Sequence, residues 1–170
     1  MKKLWTIGHS TRSEEEFINA LRAFGIKLVA DIRSSPSSMR YPYFNKQRLE
    51  ISLPLAGVRY HHLPSLGGRR EPIPGSVNNG LRSRSFRGFA DHMSTFEFRQ
   101  GIENLIYLSE DFTTAIMCSE KDWGTCHRFL ISDYMDVRGY NVTHIIDEQK
   151  SEKHILSRGI SVIEGKIFYS

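Results

Sequence analysis

Short apolar segments alternate with helical patterns along most of the chain, and this alternation constrains the fold more than any other feature. The strand candidates are Leu4 to Gly8, Lys27 to Arg33, Val58 to Leu63, Thr114 to Ser119 and Asn141 to Ile146. Strands that alternate with helices pair in parallel, because each crossover returns the chain to the same end of the sheet. The sequence therefore predicts an α/β fold with a mostly parallel central sheet flanked by helices, the alternative being a partial or distorted β/α barrel.

Helix boundaries are marked by capping residues and by glycine. Ser13 precedes three glutamates, and the apolar side chains that follow recur at helical spacing until Gly25. A second helix is predicted from Asn45 to Leu55 and a third from Ser94 or Thr95 to about Ser109. A further helix ends before Gly139, and the segment Ile160 to Tyr169 predicts a terminal hairpin around Gly165.

The size of the chain predicts one domain over residues 1–170, because 170 residues with 39% hydrophobic side chains suffice for a single core. No apolar run approaches the roughly 20 residues that a membrane span requires, and the first residues lack a signal-peptide pattern. We therefore expect a cytoplasmic protein without a membrane partner. In that setting the two cysteines are expected to be thiols rather than a disulfide.

A long segment at about 64–86 lacks any periodic pattern and is rich in glycine and proline. Loops of this length are usually functional or disordered, and we predict a lid over an active site. Five arginines lie in or next to it, and their planar guanidinium groups suit phosphate or carboxylate: Arg69, Arg70, Arg82, Arg84 and Arg87. The alternative is a solvated loop with a modest charge bias, since the net charge is only +4.

Polar side chains follow the predicted strands at the points where these end. The most concentrated group lies in the sequence MCSEKDWGTCHR, from Met117 to Arg128, where a strand passes into a helix. Because the ends of parallel strands lie at one edge of a sheet, distant residues are expected to converge there. These candidates for acid–base or nucleophilic chemistry are His9, Asp31, Arg33, Glu120, Cys126, His127 and Arg128.

The two cysteines allow three interpretations. Cys126 lies at a predicted helix N-terminus beside a cation, which would lower its pKa and favour nucleophilic attack. Cys118 resembles the cysteine of sulfurtransferase and cysteine-phosphatase loops, although Arg128 lies further along the chain than in those loops. Alternatively both thiols pack as small hydrophobic groups, or they form a zinc site with His127 and with Glu120 or His9. No closely spaced cysteine pair supports a metal, so no metal or other cofactor is assigned.

Asp31 and Arg33 lie on the same side of the second strand, which also allows two interpretations. They can form a structural ion pair, or Asp31 can orient His9 or His127 as a catalytic base.

Several motifs along the chain resemble those of one protein family. They are TIGHST (Thr6 to Thr11), VADIRSSPSS (Val29 to Ser38), HLPSLGGRR (His62 to Arg70), SFRGFADHM (Ser85 to Met93), MCSEKDWGTCHR and VTHI (Val142 to Ile145). In this order they resemble the bacterial and archaeal family known as domain of unknown function 488. The resemblance implies a fold and a site rather than a reaction. It implies site residues at Gly8, His9, Ser10, Asp31, Arg33, Pro36, Gly67, Gly68, Arg87, Cys118, Glu120, Cys126, His127 and Arg128.

Two functional hypotheses remain. The first is an enzyme, a hydrolase or transferase, acting on an anionic, phosphate-bearing substrate, a nucleotide or nucleic acid among them. Its catalytic candidates are Glu120, Cys126, His9, Cys118 and Asp31, and its substrate-binding candidates are Arg33, Arg128, His127, Ser10, Gly67, Gly68, Arg69 and Arg87. The second is a non-catalytic module that binds nucleotide or nucleic acid through the same arginines. A pocket holding a buried Glu120 would favour the enzyme, and a flat basic surface with exposed aromatic rings would favour the module.

Overall fold

The computed structural model describes residues 2–170 and has a six-stranded sheet at its centre. Its strands are β1 (Lys3–Gly8), β2 (Leu28–Asp31), β3 (Arg59–His62), β4 (Thr114–Cys118), β5 (Asn141–Ile145) and β6 (Ser151–Lys153). Their order in the sheet is β3-β2-β4-β1-β5-β6, and only the edge strand β6 is antiparallel to its neighbour. The predicted mostly parallel sheet is confirmed. Between edges β3 and β6 the sheet is open, so the barrel alternative is wrong.

Five α-helices accompany the sheet: α1 (Glu14–Ala23), α2 (Lys46–Leu55), α3 (Arg84–His92), α4 (Phe96–Asp111) and α5 (Arg128–Val137). Ser13 and Glu16 form a capping box at the start of α1, and Thr95 caps α4 through the N–H of Phe98. Asn45 stands at the N-cap of α2, but its side-chain oxygen accepts the N–H of Ser38 at 2.6 Å instead of a helical N–H.

The sheet is covered on both faces, as its almost continuous apolar strands predict. Side chains that alternate along β2 enter different cores: Val29 packs with the buried faces of α1 and α2, whereas Leu28 and Ala30 pack with those of α3, α4 and α5. The predicted terminal hairpin is formed by β7 (Ile160–Ile163) and β8 (Lys166–Tyr169). Its buried Tyr169 packs into the core that lies between the sheet and α3, α4 and α5.

The segment predicted to be a long loop is more ordered than expected. A short 3-10 turn covers Pro64–Leu66, and α3 begins at Arg84. Asp91 on α3 anchors the intervening chain by accepting hydrogen bonds from the N–H of Ile73, the hydroxyl of Ser76 and the amide of Asn78. The sequence interpretation did not predict α3. This helix lies close to the long segment, since a Cβ on Gly88 would lie 2.1 Å from the carbonyl oxygen of Arg70.

None of the helices formed by residues 2–170 combines the length and apolar character that crossing a membrane requires.

Candidate functional site

A cavity of about 420 Å³ opens at the carboxyl edge of the parallel strands. Parallel sheets form ligand sites at this edge, because the loops that leave neighbouring strands diverge there. The walls come from four regions of the chain. They are His9 after β1; Arg33, Ser34, Ser35, Ser37, Ser38 and Tyr41 after β2; Gly68, Arg69, Ser85 and Phe86 from the long segment and α3; and Cys118, Ser119, Glu120, Thr125, Cys126 and His127 between β4 and α5.

The cavity thus brings together most of the side chains predicted from the strand ends. His9, Arg33, Gly68, Arg69, Cys118, Glu120, Cys126 and His127 line it, whereas Ser10, Asp31, Gly67, Arg87 and Arg128 do not. Glu120 is exposed rather than buried. The buried Glu120 that would favour the enzyme is therefore not found in the cavity.

The sulfur atoms of Cys118 and Cys126 lie 2.7 Å apart at the base of the cavity. Cys118 ends β4 and Cys126 precedes α5, so the strand end and the helix N-terminus bring them into contact. The backbone N–H of Arg128 donates to the Cys126 sulfur at 3.4 Å. The pair is buried and both residues are free thiols.

The two thiols differ in acidity. Burial raises the pKa of Cys118, and its hydrogen bond with Cys126 raises it further. Burial also acts to raise the pKa of Cys126, but its hydrogen bonds with the side chains of Cys118 and His127 and the nearby positive charges outweigh it and hold the pKa well below the usual range. This is the direction that the helix N-terminus predicted. Of the two sulfurs, Cys126 is therefore the one whose thiolate form is favoured.

His127 is oriented by two backbone carbonyls. Its Nε2–H donates to the oxygens of Ile32 at 3.2 Å and Leu66 at 3.1 Å, which leaves Nδ1 facing the sulfur of Cys126 at 3.7 Å. A Cβ on Gly68 would lie 3.0 Å from this ring, so glycine lets the long segment approach the imidazole closely. The sulfur of Cys126, the imidazole of His127 and the carbonyls that orient this ring are thus arranged as in cysteine–histidine sites.

His9 offers a second basic nitrogen. Its Nδ1–H donates to the carbonyl of Ser10 at 3.0 Å, and its ring stacks on Phe44 with centroids 4.5 Å apart. This hydrogen bond leaves Nε2 as the unprotonated acceptor. Burial lowers the pKa of His9 to about 4, so the imidazole is neutral near pH 7 and can accept a proton.

Asp31 and Arg33 have the geometry of a structural ion pair. Asp31 is fully buried and accepts from Arg33 Nε at 2.9 Å and Nη2 at 2.8 Å, while Tyr60 donates to the same carboxylate. Asp31 contacts neither His9 nor His127 by a hydrogen bond, so the ion-pair interpretation fits better than that of a catalytic orienting group. Arg33 is thereby held rigidly at the cavity wall.

Arg128 is buried beneath the site and acts on it indirectly. Its Nη2 donates to the carbonyls of Glu120 at 2.8 Å and Lys121 at 3.3 Å, and its Nη1 donates to the hydroxyl of Thr6 at 3.3 Å. With its head group bound in this way, Arg128 fixes the turn between the two cysteines instead of reaching a substrate. Arg87 likewise donates to the carbonyls of Leu81 and Arg82.

A buried chain of hydrogen bonds continues from Arg128. The Thr6 hydroxyl, which accepts from Arg128, also lies 2.6 Å from His144 Nδ1. His144 Nε2 is hydrogen-bonded to His154 Nδ1 at 2.9 Å, and His154 Nε2–H donates to Asp133 at 2.8 Å. The chain thus joins the buried Arg128 to the buried carboxylate of Asp133 through the imidazoles of His144 and His154.

The sequence interpretation missed this network. One signal was available: Asp133 lies among Leu130, Ile131 and Tyr134 on the apolar face of α5, where a lone carboxylate needs buried donors. His154 carries no comparable signal, because the strand pairing that positions it was not predicted.

Metal-binding residues do not gather at the site. Across residues 2–170, histidine, cysteine, aspartate and glutamate side chains form no group of three or more with the geometry of a metal site.

Comparison with known proteins gives one match. The family model described as "Domain of unknown function DUF488" matches residues 13–135. That range includes Arg33, both cysteines and His127, whereas His9, His144 and His154 lie outside it. No curated protein and no solved structure matches the chain. Because the matched range covers well over half of the 170 residues, the chain belongs to the DUF488 family.

Proposed function

We propose that the protein is an enzyme that acts on a phosphate-bearing, nucleotide-like substrate with Cys126 as its nucleophile. The observation that carries this proposal is the position of the Cys126 sulfur: it lies at the base of a cavity, receives the N–H of Arg128, and has a lowered pKa. A thiolate at neutral pH is a far stronger nucleophile than a thiol.

The polar lining of the cavity offers donors for an anion. Arg69 lies among the lining residues together with Arg33, whose charge is already compensated by Asp31, and with one carboxylate, that of Glu120. Ser35, Ser37 and Ser38 add hydroxyl donors on the same wall, whereas the hydroxyl of Ser34 already donates to the carbonyl of Gly68. Arginine and hydroxyl groups together bind phosphate oxygens well, because they supply several donors around one charged group.

The size and the aromatic walls favour a nucleotide over a bare phosphate. A cavity of about 420 Å³ lies within the range of small-molecule and cofactor sites. Tyr41 and Phe86 both belong to the lining, and aromatic rings in such positions stack on bases without regard to sequence.

The proposed reaction is a group transfer through a covalent intermediate. The thiolate of Cys126 bonds to the electrophilic atom of the substrate while the bond to the leaving group breaks. A bound water supplies a proton to that group. Water then cleaves the sulfur–substrate bond with His9 accepting its proton, or a second acceptor takes the transferred group.

The test combines binding with turnover. Nucleoside mono-, di- and triphosphates and inorganic phosphate are screened by thermal shift, and ligands that stabilise the protein are then assayed for conversion. A ligand at 100 times its Kd should add about 2.7 kcal/mol to the free energy of unfolding. Arg69→Ala should weaken this stabilisation, whereas Arg82→Ala, an exposed arginine outside the cavity lining, should not.

Cys126→Ser separates the enzyme from the binding module. We expect this variant to retain the thermal shift and to lose conversion, since the hydroxyl is not ionised near pH 7. Binding by the wild type without conversion of any bound nucleotide would instead support the non-catalytic module. Conversion by Cys126→Ser at the wild-type rate would overturn the role of this sulfur.

A further inference from the structure

The two thiols form a pair whose chemistry goes beyond nucleophilic attack on a phosphate. They are the only cysteines of the chain, they lie in contact at 2.7 Å, and both line the cavity. A nucleophilic cysteine alone does not need a second thiol at this distance.

Backbone hydrogen bonds hold both members of the pair in place. The carbonyl of Cys118 accepts the N–H of His9 at 2.9 Å, and the carbonyl of Cys126 accepts the N–H of Phe129 at 3.1 Å. Arg128 binds the carbonyls of Glu120 and Lys121, so the connecting turn is also anchored. The sulfurs therefore stay close together in the reduced protein.

The environments of the two sulfurs differ in a way that assigns them separate roles. Cys126 accepts a hydrogen bond from the N–H of Arg128, which favours its thiolate. The thiol of Cys118 donates to the carbonyl of Glu120 at 3.8 Å, which favours its protonated form. An attacking thiolate beside a protonated second thiol is the arrangement that thiol oxidation followed by disulfide formation requires.

We propose that Cys126 and Cys118 are a peroxide-reactive dithiol, in which Cys126 is oxidised first and Cys118 resolves it to an intramolecular disulfide. The oxidant is hydrogen peroxide or a small organic hydroperoxide that enters the cavity.

The steps balance as follows. The Cys126 thiolate attacks one peroxide oxygen, the O–O bond breaks, and the other oxygen leaves as hydroxide or alkoxide and takes up a proton; Cys126 becomes a sulfenic acid. Cys118 then attacks the Cys126 sulfur, its thiol proton passes to the departing hydroxyl group, and water leaves. The pair has lost two electrons, which the peroxide has gained, and an external thiol reductant restores both thiols.

This inference needs the acidity of Cys126 but no turnover of a phosphate-bearing substrate. If that substrate reaction also occurs, the disulfide stops it by consuming the nucleophile. The experiment below measures free thiols and intact mass, so its outcome does not depend on whether the proposed activity exists.

The test treats the full-length protein with hydrogen peroxide and follows free thiols and intact mass. Wild type is expected to lose both thiols together and two hydrogens in mass, and to regain both with dithiothreitol. Cys118→Ser should accumulate a sulfenic acid that dimedone traps. Without dimedone, further peroxide should oxidise it to sulfinic acid. Cys126→Ser should keep its remaining thiol under the same treatment.

Two controls keep the result interpretable. Circular dichroism shows whether each serine variant is folded, and Cys118→Ala replaces Cys118→Ser if the hydroxyl disturbs the core. Wild type unfolded in urea should form the disulfide more slowly, because the folded turn no longer holds the sulfurs together. Accumulation of a trappable sulfenic acid in wild type to the same extent as in Cys118→Ser would overturn the proposal, as would equal thiol loss in Cys126→Ser.

Discussion

Replacing Asp133 by asparagine tests whether the buried network beneath the site is held by its carboxylate. Asp133 is completely buried and accepts three hydrogen bonds: from His154 at 2.8 Å, from the N–H of Ser157 at 3.0 Å and from the hydroxyl of Tyr169 at 3.0 Å. Asparagine has nearly the same shape. Its oxygen can keep the first two donors while its amide faces Tyr169, whose hydroxyl must turn to accept.

The main change is therefore the loss of charge. A hydrogen bond to a charged group contributes about 1.5–3 kcal/mol, against about 0.5–1.5 kcal/mol for a neutral one, so three bonds weakened in this way lose about 3 kcal/mol in total. Arg128 is connected to the same anion through Thr6, His144 and His154, so this loss also weakens the network on which Arg128 depends. We expect the free energy of unfolding to fall by about 3 kcal/mol, which lowers Tm by roughly 6–12 °C.

Equilibrium urea unfolding followed by circular dichroism measures this loss, with Tm from calorimetry as a second readout. Asp136→Asn is the matched control, because Asp136 lies on the same helix, is half-buried and is outside the network. The reasoning is refuted if Asp133→Asn and Asp136→Asn destabilise the protein equally, or if Asp133→Asn changes the unfolding free energy by less than about 0.5 kcal/mol.

Two further predictions concern backbone fit and pH. Gly8→Ala places a Cβ 1.7 Å from the carbonyl oxygen of Glu120 and should lower the free energy of unfolding in urea by about 1–3 kcal/mol. The control is Gly124→Ala, which should have little effect because the nearest neighbour of that Cβ lies at 3.4 Å. Equal losses in the two variants would contradict this prediction. Burial lowers the pKa of His9 to about 4 and that of His144 to about 3, so the unfolded chain binds more protons below about pH 6.5. The free energy of unfolding should therefore fall as the pH is lowered from 6.5 to 5, by up to about 1.4 kcal/mol per pH unit for each histidine. An unchanged urea midpoint over this interval would show that the two rings are not held neutral.

Much of the fold could be predicted from local signals. The five parallel strands follow from apolar runs, and α1 follows from Ser13 and the glutamates behind it, because capping and burial act within a few residues. Helix α3 was not predicted, although Ser83 caps it through the N–H of Phe86, and Phe86, Phe89 and Ala90 recur at helical spacing. Its Gly88 is unfavourable for a helix, and the backbone of Arg70 packs against it.

The candidate site could be located but its internal roles could not be assigned. Strand ends predicted that His9, Arg33 and Cys126 would meet, and they line one cavity. Sequence alone could not show that Arg128 faces away from the cavity, because the hydroxyl of Thr6 and the carbonyl of Glu120 that bind it come from different loops and strands. Which of several converging cations remains free for a ligand depends on these tertiary partners.

Helix α5 links the stability of the protein to the chemistry of its thiols. Cys126 immediately precedes the cap of this helix, Arg128 is its first residue, and Asp133 lies one and a half turns further on. The network from Asp133 to Arg128 ends on the carbonyl of Glu120, in the turn that carries Cys126 towards Cys118. A change at Asp133 that loosens Arg128 should therefore also loosen this turn. The same variant that lowers Tm is expected to slow disulfide formation under peroxide, although Asp133 contacts neither sulfur, because the distance between the thiols depends on the position of that turn.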